Sequence, residues 1–456
     1  MSDLIYKKRN IYDTITPEEL ARANAYAEEY KLFLNAGKTE RESVTEAIRI
    51  AEEHGFVPYE RGTQVKPGDK VYKSLRGKAL FLAVIGNLPL TEGLNIAGAH
   101  VDSPRLDLKQ VPLYEDGGMA YFRTHYYGGI KKYQWVTLPL ALHGVVAKAN
   151  GEVVPVNIGE SDDEPIFMIS DLLPHLGRDQ NKKTLGEAFT GENLHIILGS
   201  TPTGGEKDSD RFRLTVLNFL HEKYGIIEED FLSAELTAVP AGAARDLGLD
   251  RSIIAAYGHD DRSCAFAELR ALLDIETPEK TAICILADKE EVGSDGVSGM
   301  QSSAFETFIA DLAGGLCFVA QAFEKSFCLS ADVCNAFDPN FAEVSEKSNA
   351  AFINHGMGIM KFTGSGGKSG ASDASAETVA KIRRLFAENG VAWQLAELGK
   401  VDQGGGGTIA KYMANRNIET IDAGVPILSM HAPWELASKL DCYMTYKGVL
   451  AIYGDK

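Results

Sequence analysis

The chain has 456 residues, of which 45% are hydrophobic and 24% charged, the balance of an ordinary globular protein of about two or three domains. Lysine and arginine total 46 against 64 acids, a net charge of −18. That charge argues against sequence-independent binding to nucleic acid or to anionic membranes, which needs a positive surface. The composition also excludes collagen-like repeats and wholesale disorder.

The 6 cysteines form no C-x-x-C pair, and several lie in apolar runs such as residues 282–286. They read as reduced, buried thiols of a cytoplasmic protein. Residues 1–9 lack the apolar centre of a signal peptide. The longest apolar run, residues 79–85, is far shorter than the ~20 residues that cross a bilayer.

In chain order, Thr16-Pro17-Glu18-Glu19 is a capping box with proline at the first helical position, and its helix should stop near Gly37. Thr39-Glu40-Arg41-Glu42 repeats the signature, with a stop at Gly55. Residues 79–85 read as a strand, and residues 94–97 as another that delivers His100 at its end. From about 105 to 250 the chain looks β-rich and separate. Asn150-Gly151 sits between β-branched segments, a hairpin signal. Gly128-Gly129, Gly204-Gly205 and the charged stretch 205–211 read as loops.

Beyond 250, strands and helices alternate. Residues 281–287, 327–330 and 418–422 are strand candidates; 301–323, 371–389 and 435–453 have helical character. The fold class expected is α/β, with helices on both faces of the sheet. The domains expected are 1–104 and 251–456 as one split unit, interrupted by 105–250.

The unusual polar residues fall just after expected strands or in glycine-rich turns, where open α/β sheets bind ligands. Gly98-Ala99-His100-Val101-Asp102 puts an imidazole at a strand end, with a carboxylate able to fix its tautomer. His259-Asp260-Asp261-Arg262 holds adjacent acids that repel unless a cation offsets them; capping of the next helix is the plainer use. Asp288-Lys289-Glu290-Glu291 follows an apolar strand, so one Glu can bind metal while the other acts as general base on the metal-bound water. Ser330-Ala331-Asp332 and Ser429-Met430-His431 place one more acid and one more imidazole at strand ends. Together these residues suit Zn²⁺, Mn²⁺ or Co²⁺. Residues 363–369 look like a P-loop, but Phe362 stands where that motif needs glycine. Residues 404–407 read as a loop whose backbone approaches substrate closely.

These motifs, in this order and spacing and joined by Pro339-Asn340, resemble the zinc aminopeptidases that include aspartyl aminopeptidase and vacuolar aminopeptidase I. The resemblance runs through nearly the whole chain. It implies a metallopeptidase domain with a helix-covered mixed β-sheet, interrupted by a smaller β-rich dimerisation domain. It implies two metal ions, zinc first: His100 and Asp332 on one, Glu291 and His431 on the other, and Asp260 shared, followed by a cis peptide to Asp261. Glu290 would be the general base for a metal-bridging hydroxide, and Asp102 would orient His100. The reaction implied is removal of the N-terminal residue, acidic or neutral, from peptides with a free amine. The assembly implied is a tetrahedral homo-dodecamer.

Two further roles follow from the resemblance: His175, in Pro174-His175-Leu176, as a residue reaching a neighbouring subunit's site, and Lys361 as a contact for acidic substrate side chains. A structural loop histidine and a solvated lysine are the alternatives. The aspartyl enzymes carry His where this chain has Asn335 and Asp338, and Asp-Asn-Leu where it has Asp260-Asp261-Arg262. These departures leave acidic specificity open. Another metal hydrolase, a deacylase or a carboxypeptidase, and an inactive shell-forming homologue are the rival readings.

Overall fold

Strands buried on both faces must lie inside a layered fold, because neither side can meet water. Every residue of Ala79–Val84, Leu94–His100, Thr281–Ala287 and Phe327–Ser330 is buried. In the computed structural model, which describes residues 4–205 and 208–456, these strands form the middle of a 9-stranded sheet. Its order is Val57–Pro58, Lys70–Leu75, Ala79–Val84, Thr281–Ala287, Leu94–His100, Phe327–Ser330, Glu419–Gly424, Met357–Met360, Trp393–Leu395. The run from Thr281–Ala287 through Glu419–Gly424 is parallel, while Ala79–Val84 and Met357–Met360 are antiparallel to their inner neighbours.

Alternate side chains of the strands enter two different cores, as a period of two requires. Leu80, Leu82, Ala97, Cys284 and Leu286 face the helices Pro17–Ala36, His259–Leu273 and Lys439–Tyr453. Phe81, Ile96, Ile283 and Ile285 face Ala304–Ala313 and Val319–Glu324. Helices therefore cover both faces, as the alternation of elements predicts.

Local signals set the boundaries. Thr16 accepts the Glu19 N–H and Pro17 opens the first helix, which ends at Ala36 before Gly37. Thr39 and Glu42 form a complete capping box for Glu40–Glu53. The expected closing helix 435–453 begins later. Glu435–Ser438 is a strand paired with Ile253–Ala256, and Ser438 then caps Lys439–Tyr453 by accepting from the Leu440 and Asp441 N–H groups. The helix expected over 371–389 is confined to Ala376–Glu388, with Ser375 as its cap.

By contacts the chain divides into two compact units. One is Met1–Asp102, Ala244–Met430 and Glu435–Lys456; the other is Ser103–Ala243 with His431–Trp434. The second boundary precedes residue 250 because Arg245–Leu247 pairs with Ile253–Ala256, in a 5-stranded sheet of the first unit. The second unit holds a 6-stranded antiparallel sheet. Asn150-Gly151 does turn a hairpin between Leu140–Ala147 and Val153–Ile158, with Gly151 at φ +89°. The loop is longer than a two-residue turn, since the strands stop at Ala147 and Val153. The expected loop 205–211 and the segment 1–9 fall partly outside the described residues.

All six cysteines are free; Cys317 is exposed and the other five are buried. Among the described residues no single helix is long and apolar enough to cross a membrane. The bent apolar pair Ala304–Ala313 and Leu316–Glu324 packs Phe305, Phe308 and Ile309 into the core.

Candidate metal centre

The strand Leu94–His100 lies between Thr281–Ala287 and Phe327–Ser330, both parallel to it. The chain visits one neighbour and then crosses to the other, so the crevice beyond the carboxyl end of the middle strand is a topological switch point. His100 is the last residue of that strand. Asp288 to Glu291 follow one neighbour and Asp332 follows the other.

His100 is 2% exposed, Asp102 and Asp261 0%, Asp260 3% and Asp332 9%. His100 Nε2 lies 3.2 Å from Asp260 Oδ1. Two ligands of one tetrahedral zinc, each about 2.0–2.1 Å from the ion, stand roughly 3.3 Å apart. Ligand atoms of His100, Asp260 and Glu291 lie within 4.8 Å of one another, as do those of His100, Asp261 and Asp332. The Asp260–Asp261 peptide is cis, as the resemblance implies.

Asp102 serves its neighbours in two ways. Its backbone carbonyl is 2.9 Å from His100 Nδ1, closer than its carboxylate Oδ1 at 3.3 Å. Its carboxylate oxygens accept the Glu290 and Glu291 N–H groups, each at 3.2 Å. The expected carboxylate–imidazole contact is thus joined by a tether on the turn Glu290–Val292. Lys289, at φ +69°, opens that turn.

The electrostatics call for a cation. Burial pushes the Asp261 and Asp332 carboxyls well above their ordinary range, and Asp260 adds to both. Burial opposes protonation of His100, but Asp102 and Asp260 outweigh it and carry the imidazole well above its usual value. Asp288 is pushed up to about 6 by burial and by Glu40 and Asp102. Asp261 Oδ1 is buried and has no hydrogen-bond partner among the described residues. An orphaned carboxylate oxygen inside a buried set of acids and an imidazole is costly without a positive partner. The donor set fits a divalent ion.

The remaining expected site residues lie as follows. His431, at φ +63°, falls in the second unit, where its Nδ1 is 2.8 Å from the Gly129 carbonyl. His175 is exposed in the short turn Pro174–Leu176. Lys361 follows the strand Met357–Met360 and pairs with Asp373 at 2.7 Å; Lys368 shares that acid at 3.0 Å. Neither His175 nor Lys361 belongs to the two clusters of candidate ligands. Sequence reasoning did not single out Asp261 as a ligand, although its adjacency to Asp260 was the available signal. It also passed over Glu435, which accepts the Asp260 N–H at 2.9 Å.

The model of the aminopeptidase I zinc metalloprotease family, M18, matches residues 33–453. A probable M18 family aminopeptidase 1 of Clostridium acetobutylicum is 49% identical over 99% of both chains. The crystal structure of an M18 aminopeptidase from Thermotoga maritima superposes with a TM-score of 0.94 at 42% identity, covering 98% of this chain and 99% of that one. A yeast mApe1 dodecamer structure shares the fold at 21% identity and a TM-score of 0.76, with 94% and 96% covered. The chain belongs to the M18 family of zinc metalloproteases and is a metal-dependent aminopeptidase.

Proposed function

We propose that the chain removes the N-terminal residue of peptides at a two-metal centre. The observation that carries this reading is the set of buried His100, Asp260, Asp261 and Asp332 with half-buried Glu291, in which Asp261 Oδ1 has no hydrogen-bond partner among the described residues. His100 and Asp332 would hold one ion, Glu291 and His431 the other, and Asp260 would be shared. Zinc is the first choice, with manganese or cobalt as alternatives. Bound ions supply Lewis-acid polarisation of the scissile carbonyl and acidify water.

The chain's own groups handle the proton. The Glu290 carboxylate takes it from the attacking water and returns it to the nitrogen of the leaving amine. Asp102 holds Glu290 and Glu291 through their N–H groups, so acid–base group and ligand keep a fixed spacing. Only substrates with a free α-amine would be cleaved.

Specificity, assembly and location belong to the same proposal. Lys361 would bias the enzyme toward acidic N-terminal residues, and its pairing with Asp373 leaves neutral residues open. The Ser103–Ala243 unit would carry dimerisation, His175 would reach a neighbouring subunit, and the chain would assemble as a cytoplasmic homo-oligomer, a dodecamer in the family's pattern.

The test is release of the first residue from free and N-acetylated peptides that begin with acidic, neutral or basic residues. Zn²⁺, Mn²⁺ or Co²⁺ is supplied, with a chelator control. Chelator-sensitive cleavage of free peptides alone is the expected result. Cleavage of acetylated peptides would point to a deacylase, and release from the C-terminus to a carboxypeptidase.

A further inference from the structure

Asp260 stands in the first turn of the helix His259–Leu273, yet its backbone is not helical, with φ −82° and ψ 106°. The first N–H groups of a helix need acceptors from outside it. The capping position here is Gly258, which has no side chain to offer. For Asp260 the acceptor comes from 175 residues away: Glu435 Oε2 takes its N–H at 2.9 Å.

Sheet pairing brings Glu435 there. The strand Ile253–Ala256 runs antiparallel to Glu435–Ser438, with Ala256 opposite Glu435. The chain then turns at Gly258, where φ is +78° and a Cβ would stand 2.5 Å from the Arg262 guanidinium carbon. Glu435 is 1% exposed. Burying one more carboxylate next to an acid-rich segment is expensive. The Glu435 contact with the Asp260 N–H satisfies a donor that the helix start leaves open and fixes the backbone there.

We propose that Glu435 is a positioning residue of the metal centre. Through the Asp260 N–H it fixes the Asp260 main chain, and with it the direction in which the Asp260 carboxylate is presented. The proposal rests on reading Asp260 as a metal ligand. In sequence Glu435 directly follows His431–Trp434, so one short stretch supplies both a candidate ligand and the support of another.

The test compares Glu435→Ala, Glu435→Gln and Glu435→Asp in the full chain. Zn²⁺ affinity is measured by competition with a chromogenic chelator, and thermal melting of the metal-free proteins reports folding. Loss of an outer support typically costs about 10–100-fold in metal affinity, and that is the loss expected for Glu435→Ala. Gln keeps an oxygen at the same reach and should bind near the wild-type affinity. Asp keeps the charge one methylene short and should lose affinity as Ala does.

If Asp binds as wild type and Gln does not, charge rather than the hydrogen bond is what counts, and the proposal is overturned. The Gln and Asp pair decides the matter even if Ala does not fold. Wild-type affinity in a folded Glu435→Ala, with Asp260→Asn defective, overturns this proposal alone. Wild-type affinity in Asp260→Asn overturns the ligand assignment and this proposal with it.

Discussion

Two sets of acids, one in each compact unit, are held in opposite ways. In the larger unit, Asp332 follows a strand buried on both faces and Asp261 lies in the first turn of the helix His259–Leu273, and burial raises both well above their ordinary range. In the smaller one the sheet is antiparallel, and strands such as Val153–Ile158 alternate between exposed and buried positions. There Glu164 pairs with Lys223 at 2.8 Å near the surface, and its pKa falls to about 2 through that bond and the Gly159 N–H. Acids held against their preference beside an imidazole, as Asp261 and Asp332 are beside His100, are candidates for a cation site; Glu164, held in accord with its preference by Lys223, reads as structural.

The sharpest way to break that contrast is Glu290→Gln. A general base contributes roughly 10²–10⁴-fold, so kcat should fall by about that much with metal content unchanged. Normal turnover in the variant would remove Glu290 from the chemistry and leave a plain acidic turn. The two adjacent acids sharpen the comparison next. If Asp260 is the shared ligand, Asp260→Asn should lose both ions by elemental analysis, whereas Asp261→Asn should keep both at reduced affinity. The metal-free Asp261→Asn protein should also melt no lower than wild type, because burial already disfavours the ionised Asp261 carboxyl and Asn keeps the shape and an oxygen for the His100 N–H. A reversed pattern would assign the shared position to Asp261.

Asp102→Asn comes third. Asn keeps the backbone carbonyl that faces His100 Nδ1 and one side-chain oxygen, but it can accept only one of the Glu290 and Glu291 N–H groups. A loss of about 10–100-fold in metal affinity or activity is expected, with KM little changed. A rise in KM at constant kcat would mean that the Asp102 tether serves substrate binding instead.

The strand ends were legible because an apolar run followed by an isolated polar residue leaves little choice: Leu94–His100 had to be buried, and His100 had to emerge at its end. The first two helices were legible from Thr16-Pro17 and from the Thr39–Glu42 box, both short-range signals. What was not legible depends on contacts far apart in sequence. Asp102 meets Glu290 across 188 positions, and Glu435 meets Asp260 across 175. No local pattern marks either pair. Glu435–Ser438 reads as part of a helix until Ile253–Ala256 is placed beside it. Tertiary pairing there overrides local propensity.

The smallest effect expected tests the structural side of the contrast. Glu164 has a folded pKa of about 2 against an ordinary 4.5. A depressed carboxyl contributes stability that is complete above about pH 4.5 and is lost as pH falls toward 2. The pair lies near the surface, with side chains 22% and 38% exposed. Solvent screening therefore limits its contribution to about 0.2–1 kcal/mol, less at high salt. Urea unfolding of wild type and Glu164→Gln at pH 7 should differ by that amount, and the difference should shrink as the pH is lowered through 4. The Gly159 N–H keeps an acceptor in the Gln variant, so the residual difference belongs to the Lys223 pair. A gap that widened on acidification would mean that Glu164, like Asp261 and Asp332, is held against its preference, and burial rather than unit membership would then be the better guide to which acids do chemistry.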